Sequence, residues 1–250
     1  MTSALRMNSM ACHGLRRILA ATIVAACMTG CAASTSIDPA QVSESDVVSV
    51  KIQTSLGPIT VQVFPDAAPV TVANFLRYVD AQKYDGTTFY RTVRLDNQAA
   101  SDVPIQVIQG GLFGTLQPAG SSDVPQTYPP IAHETTQQTG LKHVEGTISM
   151  ARGAPGTATS EFFICIGNNP ALDFGGARNP DGQGFAAFGH VIAGMDVVRQ
   201  IHKLPSGKPV PEVRVMRGQI LNSPVPITSV RRLPAVQHRP NRDSASPRSP

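Results

Sequence analysis

The chain has 250 residues, 15% of them charged and 5% aromatic, with 21 glycines and 21 prolines. That length can hold one large domain or two small ones around a real core, and the Gly and Pro content favours many turns and a β-rich fold over a helix bundle. Three of the 21 basic residues precede Cys31 and five follow Val230, so residues 31–230 carry 13 of them against 16 of the 17 acids. The net charge of +4 belongs to the two ends, and a mildly acidic body with few stacking aromatics excludes a nucleic-acid-binding surface.

The first residues read as an export segment. Arg16-Arg17 precede an apolar run from Ile18 to Met28, and the small residues Thr29, Gly30, Cys31, Ala32 and Ala33 follow. The run is too short to cross a bilayer as a mature helix, and the pattern defines a signal peptide over residues 1–30. The ending Met28-Thr29-Gly30-Cys31 is similar to a bacterial lipobox, in which the cysteine is lipid-modified and becomes the first mature residue. Ordinary cleavage near Ala33 is the alternative, since Met28 stands where Leu is usual. The expected location is the bacterial cell envelope, facing the periplasm, with Cys31 as a lipid anchor in a membrane. Residues 31–46, rich in Ala, Ser, Thr, Gln and Asp, then read as a flexible tether. Cys12 and Cys27 leave with the signal, so Cys165 remains as a lone thiol in an apolar strand and no disulfide framework is expected.

The domain is expected over residues 47–222. Residues 47–54 and 59–64 alternate apolar and polar around Leu56-Gly57-Pro58, the pattern of a hairpin of half-buried strands. Pro65 to Pro69 start a helix, with Asp66 or Thr71 as its N-cap, and Val72, Phe75, Leu76 and Val79 form its apolar stripe up to a stop at Asp85-Gly86. Residues 87–95 and 103–109 are the next strands, separated by a polar loop, and residues 112–130 form a long excursion rich in Gly, Pro and Ser. Two strand-like ends, residues 146–151 and 161–166, flank a run of Arg, Gly, Pro, Ala, Ser and Thr that cannot be regular structure. Within the second of them Phe162 and Phe163 must point to opposite faces, one into a core and one outward beside the glycine-rich loop, as the floor of an apolar pocket. Residues 185–192 read as a buried strand, 195–204 as a second short helix and 211–221 as a last strand. A basic Pro/Ser/Arg tail is expected over 223–250, and from Pro234 on it is too poor in apolar residues to fold. About eight strands with no βαβ alternation predict a mainly β protein, an eight-stranded antiparallel barrel capped by two short helices.

Five short motifs occur in register: Phe89-Tyr90-Arg91, Gln109-Gly110-Gly111, Gly146 to Ala151, Ser160 to Ile164 and Phe185 to Gly189. Together with Ala68 to Phe75 they make the domain resemble a cyclophilin, a peptidyl-prolyl cis-trans isomerase, and Met150-Ala151-Arg152 resembles the bacterial subgroup. The resemblance implies an enzyme that rotates X-Pro bonds in exported proline-containing polypeptides, as a monomer, without metal or cofactor. It implies Arg91, Gln109 and Phe163 as catalytic residues, and Val107, Ala151, Arg152, Leu172 and Phe185 as substrate-binding residues. Phe185 stands where many members have His, a change shared with the bacterial subgroup. Against the family pattern the chain carries an insertion at about residues 94–104, Gln106 in place of an aromatic, Glu161 in place of Gln and Ala171 in place of Trp or Phe. The Gln106 and Ala171 changes suggest the alternative, a non-catalytic proline-peptide-binding or chaperone module on the same fold. His133, His143, His190, His202 and His238 show neither metal-ligand spacing nor a partnered nucleophile and are expected at the surface.

Overall fold

The computed structural model describes residues 47–99, 101–114, 127–207, 209 and 216–234. The signal peptide, the tether, Cys31 and the tail beyond residue 234 lie outside them.

The alternation at the start of the domain gives β1 (Val48–Thr54) and β2 (Gly57–Val63), paired antiparallel from Val48↔Val63 to Thr54↔Gly57. The helix α1 (Pro69–Asp80) follows, with Pro69 at its first position. Neither Asp66 nor Thr71 caps it: the Ala68 N-cap makes no side-chain bond. The cap comes from 64 residues away in sequence, where Glu134 accepts the Val70 N–H at 3.0 Å and the Thr71 N–H at 2.7 Å. A carboxylate there satisfies orphan donors and suits the positive end of the helix. The helix also ends at Asp80, and turns carry the chain on to Gly86.

β3 (Thr88–Val93), β4 (Val107–Gly111), β5 (Thr147–Met150), β6 (Phe162–Cys165) and β7 (Ala186–Ala193) follow, with a short helix α2 (Thr136–Thr139) before β5 and α3 (Met195–His202) after β7. Last comes β8 (Ile220–Arg232), and the strands close in the order β1-β2-β7-β5-β6-β4-β3-β8. The expected eight-stranded antiparallel barrel is therefore present, with α1 against β7 and β8 and α3 against β2, β3 and β4.

β8 corrects the expected boundary at 222. Of the strand assigned to 211–221, residues 211–215 lie outside the described ones, and of the rest only Ile220 and Leu221 belong to β8; residues 223–232, assigned to the tail, are its main part. Val225, Ile227 and Val230 are buried in the barrel, and β8 joins β1 and β3 to complete the closure. Pro224 and Pro226 hid it, because prolines signal a break in a strand. The register against β3 jumps from Phe89↔Val225 to Arg91↔Ile220, so residues 221–224 form a bulge in which Pro224 needs no ladder partner. β4 likewise starts four residues later than expected, at Val107, since Pro104 cannot donate to a ladder.

Two apolar clusters result. The barrel interior holds Phe89, Phe162 and Phe188 with Phe75 of α1, their rings packed at centroid distances of 5.1–5.8 Å. A smaller cluster of Val93, Ile105, Val107, Phe163, Cys165 and Leu172 lies on the outer face of β3, β4 and β6.

Candidate active site

Strand register builds the site. Arg91 pairs with Gln109 across β3 and β4, Gln109 with Phe163 across β4 and β6, and Phe163 with Ser149 across β6 and β5. These residues therefore form one row on the outer face of the barrel. Two residues along, Val93, Val107 and Cys165 form a parallel apolar row. A groove of about 790 Å3 opens over Arg91, Gln109 and Phe163 of the first row and Val107 of the second. It is lined by every residue proposed from the sequence for catalysis or substrate binding: Arg91, Gln109, Phe163, Val107, Ala151, Arg152, Leu172 and Phe185.

Among the described residues, Arg91 is held by two amide oxygens and by no carboxylate. Its Nη1 donates to Gln109 Oε1 at 2.7 Å, and its Nε and Nη2 donate to Gln219 Oε1 at 2.9 and 2.6 Å. A guanidinium has five N–H donors, so two remain for a ligand in the groove. Burial lowers its pKa to about 10, with the nearby Arg178 acting in the same direction, and it stays protonated at neutral pH. Gln219 is buried just before β8, and nothing in its sequence neighbourhood marks it; it reaches Arg91 because β8 lies beside β3 in a register set by the bulge.

The apolar end of the groove has Phe163 as its base, with the Phe185 ring edge-on at 5.3 Å and Leu172 and Val107 buried alongside. Leu172 sits on a single turn of 3-10 helix, Pro170–Leu172, and its carbonyl accepts the Phe185 N–H. Arg152 ties the far wall. It pairs with Asp181 at 2.8 Å, donates to the Gly184 carbonyl and lies 5.2 Å over the Phe185 ring. Gln106 does not line the groove, and its backbone bonds to Asn169 and Ile166 instead. The wall it leaves missing is supplied by Ile105, 7% exposed, where the chain leaves the insertion. Gln98 staples that loop through the Ile105 N–H and carbonyl, and Arg178 donates to Gln98 and to the Val103 carbonyl. Neither contact is legible in the sequence, because both depend on where the insertion folds back.

Histidine placement overturns one expectation. His143 is 1% exposed rather than at the surface, and its ring stacks on Phe163 at 5.9 Å. Its nitrogens lie 2.8 Å from Asp173 Oδ1 and 3.0 Å from Ser149 Oγ. Burial acts to raise the Asp173 carboxyl, but hydrogen bonds from His143 outweigh it and hold the pKa below the ordinary value. Ser149 is fully buried, so no substrate reaches its hydroxyl, and the chain supports the ring from behind. His202 is buried as well and bonds the Val93 carbonyl at 3.0 Å.

Beside Arg91 the groove continues past Tyr90, Phe113 and Glu161. Glu161 accepts the Tyr90 hydroxyl at 2.7 Å and the Phe113 N–H at 2.9 Å, and Tyr90 in turn accepts Gln109 Nε2 at 2.7 Å. Burial raises the Glu161 pKa, opposed by these hydrogen bonds.

Comparisons agree with this architecture. The family model described as cyclophilin type peptidyl-prolyl cis-trans isomerase/CLD matches residues 49–220. A peptidyl-prolyl cis-trans isomerase of Acinetobacter baylyi is 35% identical over 182 residues, 72% of this chain and 83% of its own length. Peptidyl-prolyl cis-trans isomerase B of Escherichia coli is 37% identical over 162 residues, 64% of this chain and 87% of its own. The crystal structure of a Cryptosporidium parvum cyclophilin type peptidyl-prolyl cis-trans isomerase superposes with a TM-score of 0.53 at 22% identity, covering 75% of this chain and 98% of that one. With the match running through nearly the whole barrel and the relatives aligned over most of their own length, the chain is a member of the cyclophilin type peptidyl-prolyl cis-trans isomerase family.

Proposed function

We infer that the groove accelerates rotation about X-Pro bonds by binding the twisted amide more tightly than the planar one. Amide resonance opposes that rotation by about 18–20 kcal/mol, and the unaided reaction takes on the order of 10–100 s. No bond breaks, so the residues need only grip the prolyl ring and favour the state in which the amide nitrogen has become pyramidal and basic. The observation that carries the reading is the shared row: Gln109 and Arg91 stand one and two strands from Phe163 on the same face, over one groove. Phe163, Val107, Leu172 and Phe185 take the ring, the backbone at Ala151 and Arg152 takes the peptide, and the two spare N–H groups of Arg91 meet the turning amide. A charge-assisted hydrogen bond contributes about 1.5–3 kcal/mol, whereas a five-decade acceleration needs about 7 kcal/mol. Arg91 therefore works together with desolvation in the apolar slot. Arg91→Ala is expected to lower kcat/KM by about a hundredfold, roughly 2.7 kcal/mol, in a protease-coupled proline-peptide assay. A variant as fast as the wild type removes Arg91 from the mechanism.

The substrates we assign are exported polypeptides, and the support is the sequence of residues 1–46. The charged start, the short apolar run and the ending before Cys31 fit a lipid-anchored, periplasm-facing protein. We propose the monomer as the working unit, since one chain's groove already holds every residue assigned a role. Cys31→Ser is expected to release the protein from the membrane fraction, and unchanged fractionation rules out the anchor.

A further inference from the structure

Glu161 is the only carboxylate among the described residues lining the groove, and it is linked to Arg91 without touching it. The links are Tyr90 Oη to Glu161 Oε2 at 2.7 Å, Gln109 Nε2 to Tyr90 Oη at 2.7 Å and Arg91 Nη1 to Gln109 Oε1 at 2.7 Å. Each link fixes the direction of the next. An ionised carboxylate has no hydrogen to give, so Tyr90 must donate to it. Having spent its one hydrogen, the Tyr90 hydroxyl must accept from Gln109. The Gln109 amide then has its oxygen toward Arg91 and not its NH2.

The carboxylate has a place built for it. Oε1 accepts the Phe113 N–H at 2.9 Å and the Ser160 hydroxyl at 3.2 Å. Gly111 has φ 144, and a Cβ there would fall 2.5 Å from Glu161 Oε1, so the second glycine of Gln109-Gly110-Gly111 makes the room. Resting on the assignment of Arg91 as the donor, we propose that Glu161 is a positioning residue. Acting through Tyr90 and Gln109, it fixes the amide that orients Arg91 and offsets the guanidinium charge from a distance. A carboxylate in direct contact would occupy the N–H groups that must face the prolyl amide; two neutral groups in between leave them available.

The test is Glu161→Gln, which keeps size and removes charge. With the Phe113 N–H demanding an oxygen, the new amide must place its NH2 against Tyr90. The hydroxyl then donates to Gln109, and that amide turns its own NH2 toward Arg91. Glu161→Gln is expected to lower kcat/KM about tenfold with an unfolding midpoint close to the wild type, and to move the NMR shift of the Arg91 Nε–H. Tyr90→Phe cuts the same chain and is expected to cost about the same, and the double variant no more than either. If Glu161→Gln does not fold, Tyr90→Phe and the Arg91 shift carry the test. Both variants within twofold of wild type, losses that multiply in the double variant, or an unmoved Arg91 signal each overturn the relay. Arg91→Ala in the same assay separates the two ideas. If that variant is impaired while Glu161→Gln is not, the relay alone falls; if Arg91→Ala runs at the wild-type rate, both fall.

Discussion

Phe162 and Phe163 are neighbours on β6, both nearly sealed from water at 0% and 4% exposure, yet they belong to different parts of the molecule. Phe162 points into the barrel, where Phe75, Tyr84 and Phe89 meet it edge-on at 5.4–5.8 Å. Phe163 points out, with Phe185 edge-on at 5.3 Å and His143 stacked at 5.9 Å, and forms the base of the groove. Burial alone does not tell the two apart; the surroundings do. Rings and aliphatics from many elements close over Phe162, whereas Phe163 is enclosed by loops, one 3-10 turn and a buried polar chain running through His143 to Asp173. One cluster holds the barrel, and the other shapes a slot that a prolyl ring can enter.

Alanine at each position breaks the comparison open. Phe162→Ala leaves a closed cavity and is expected to destabilise by about 3–5 kcal/mol, with kcat/KM nearly unchanged for the fraction still folded. Phe163→Ala opens toward solvent, so its stability cost is nearer the transfer value of about 1.5–3 kcal/mol without the cavity contribution. Its kcat/KM is expected to fall by ten- to a hundredfold, the same energy read as lost grip on the proline. Urea denaturation and the proline-peptide assay on both variants check this. Equal losses of activity, corrected for folded fraction, would erase the distinction between the clusters.

The same two faces show what a linear reading can reach. Period-2 alternation assigns Phe162 and Phe163 to opposite faces with no knowledge of the fold, because strand side chains must alternate. The resemblance supplies Arg91, Gln109 and the slot residues, and the register brings them into one row. Contacts between distant segments carry no local signal. Gln219 reaches Arg91 only through the β8 bulge, Ile105 replaces the missing aromatic only because Gln98 and Arg178 fold the insertion back, and Glu134 caps α1 from a loop. Asp173, 30 residues beyond His143, explains why that histidine is buried and not at the surface. In β8 the local signal pointed the wrong way, since two prolines obscured the apolar alternation of Val225, Ile227 and Val230.

The smallest effect tests where the inner face ends. Beyond Val230 the strand is secured by charge: Arg231 binds Asp85 through Nη1 at 2.8 Å and Nη2 at 2.6 Å, and the Val230 N–H donates to the same carboxylate at 3.1 Å. Both side chains are well exposed to water, 41% and 28%, so the pair contributes far less than a buried ring. Asp85→Asn is expected to cost about 0.5–1 kcal/mol at neutral pH. The Arg231 hydrogen bonds hold the Asp85 pKa below its ordinary value despite some burial. A carboxyl depressed in the folded state stabilises fully above its unfolded value, near 3.9, and that stability is lost as pH falls through the folded value. The gap between wild type and Asp85→Asn in urea should therefore be constant from about pH 7 to pH 5 and narrow progressively below about pH 4. A gap that persists undiminished in acid would mean that the carboxylate charge has no part in fastening the end of β8, leaving the Val230 N–H bond and apolar burial to hold it.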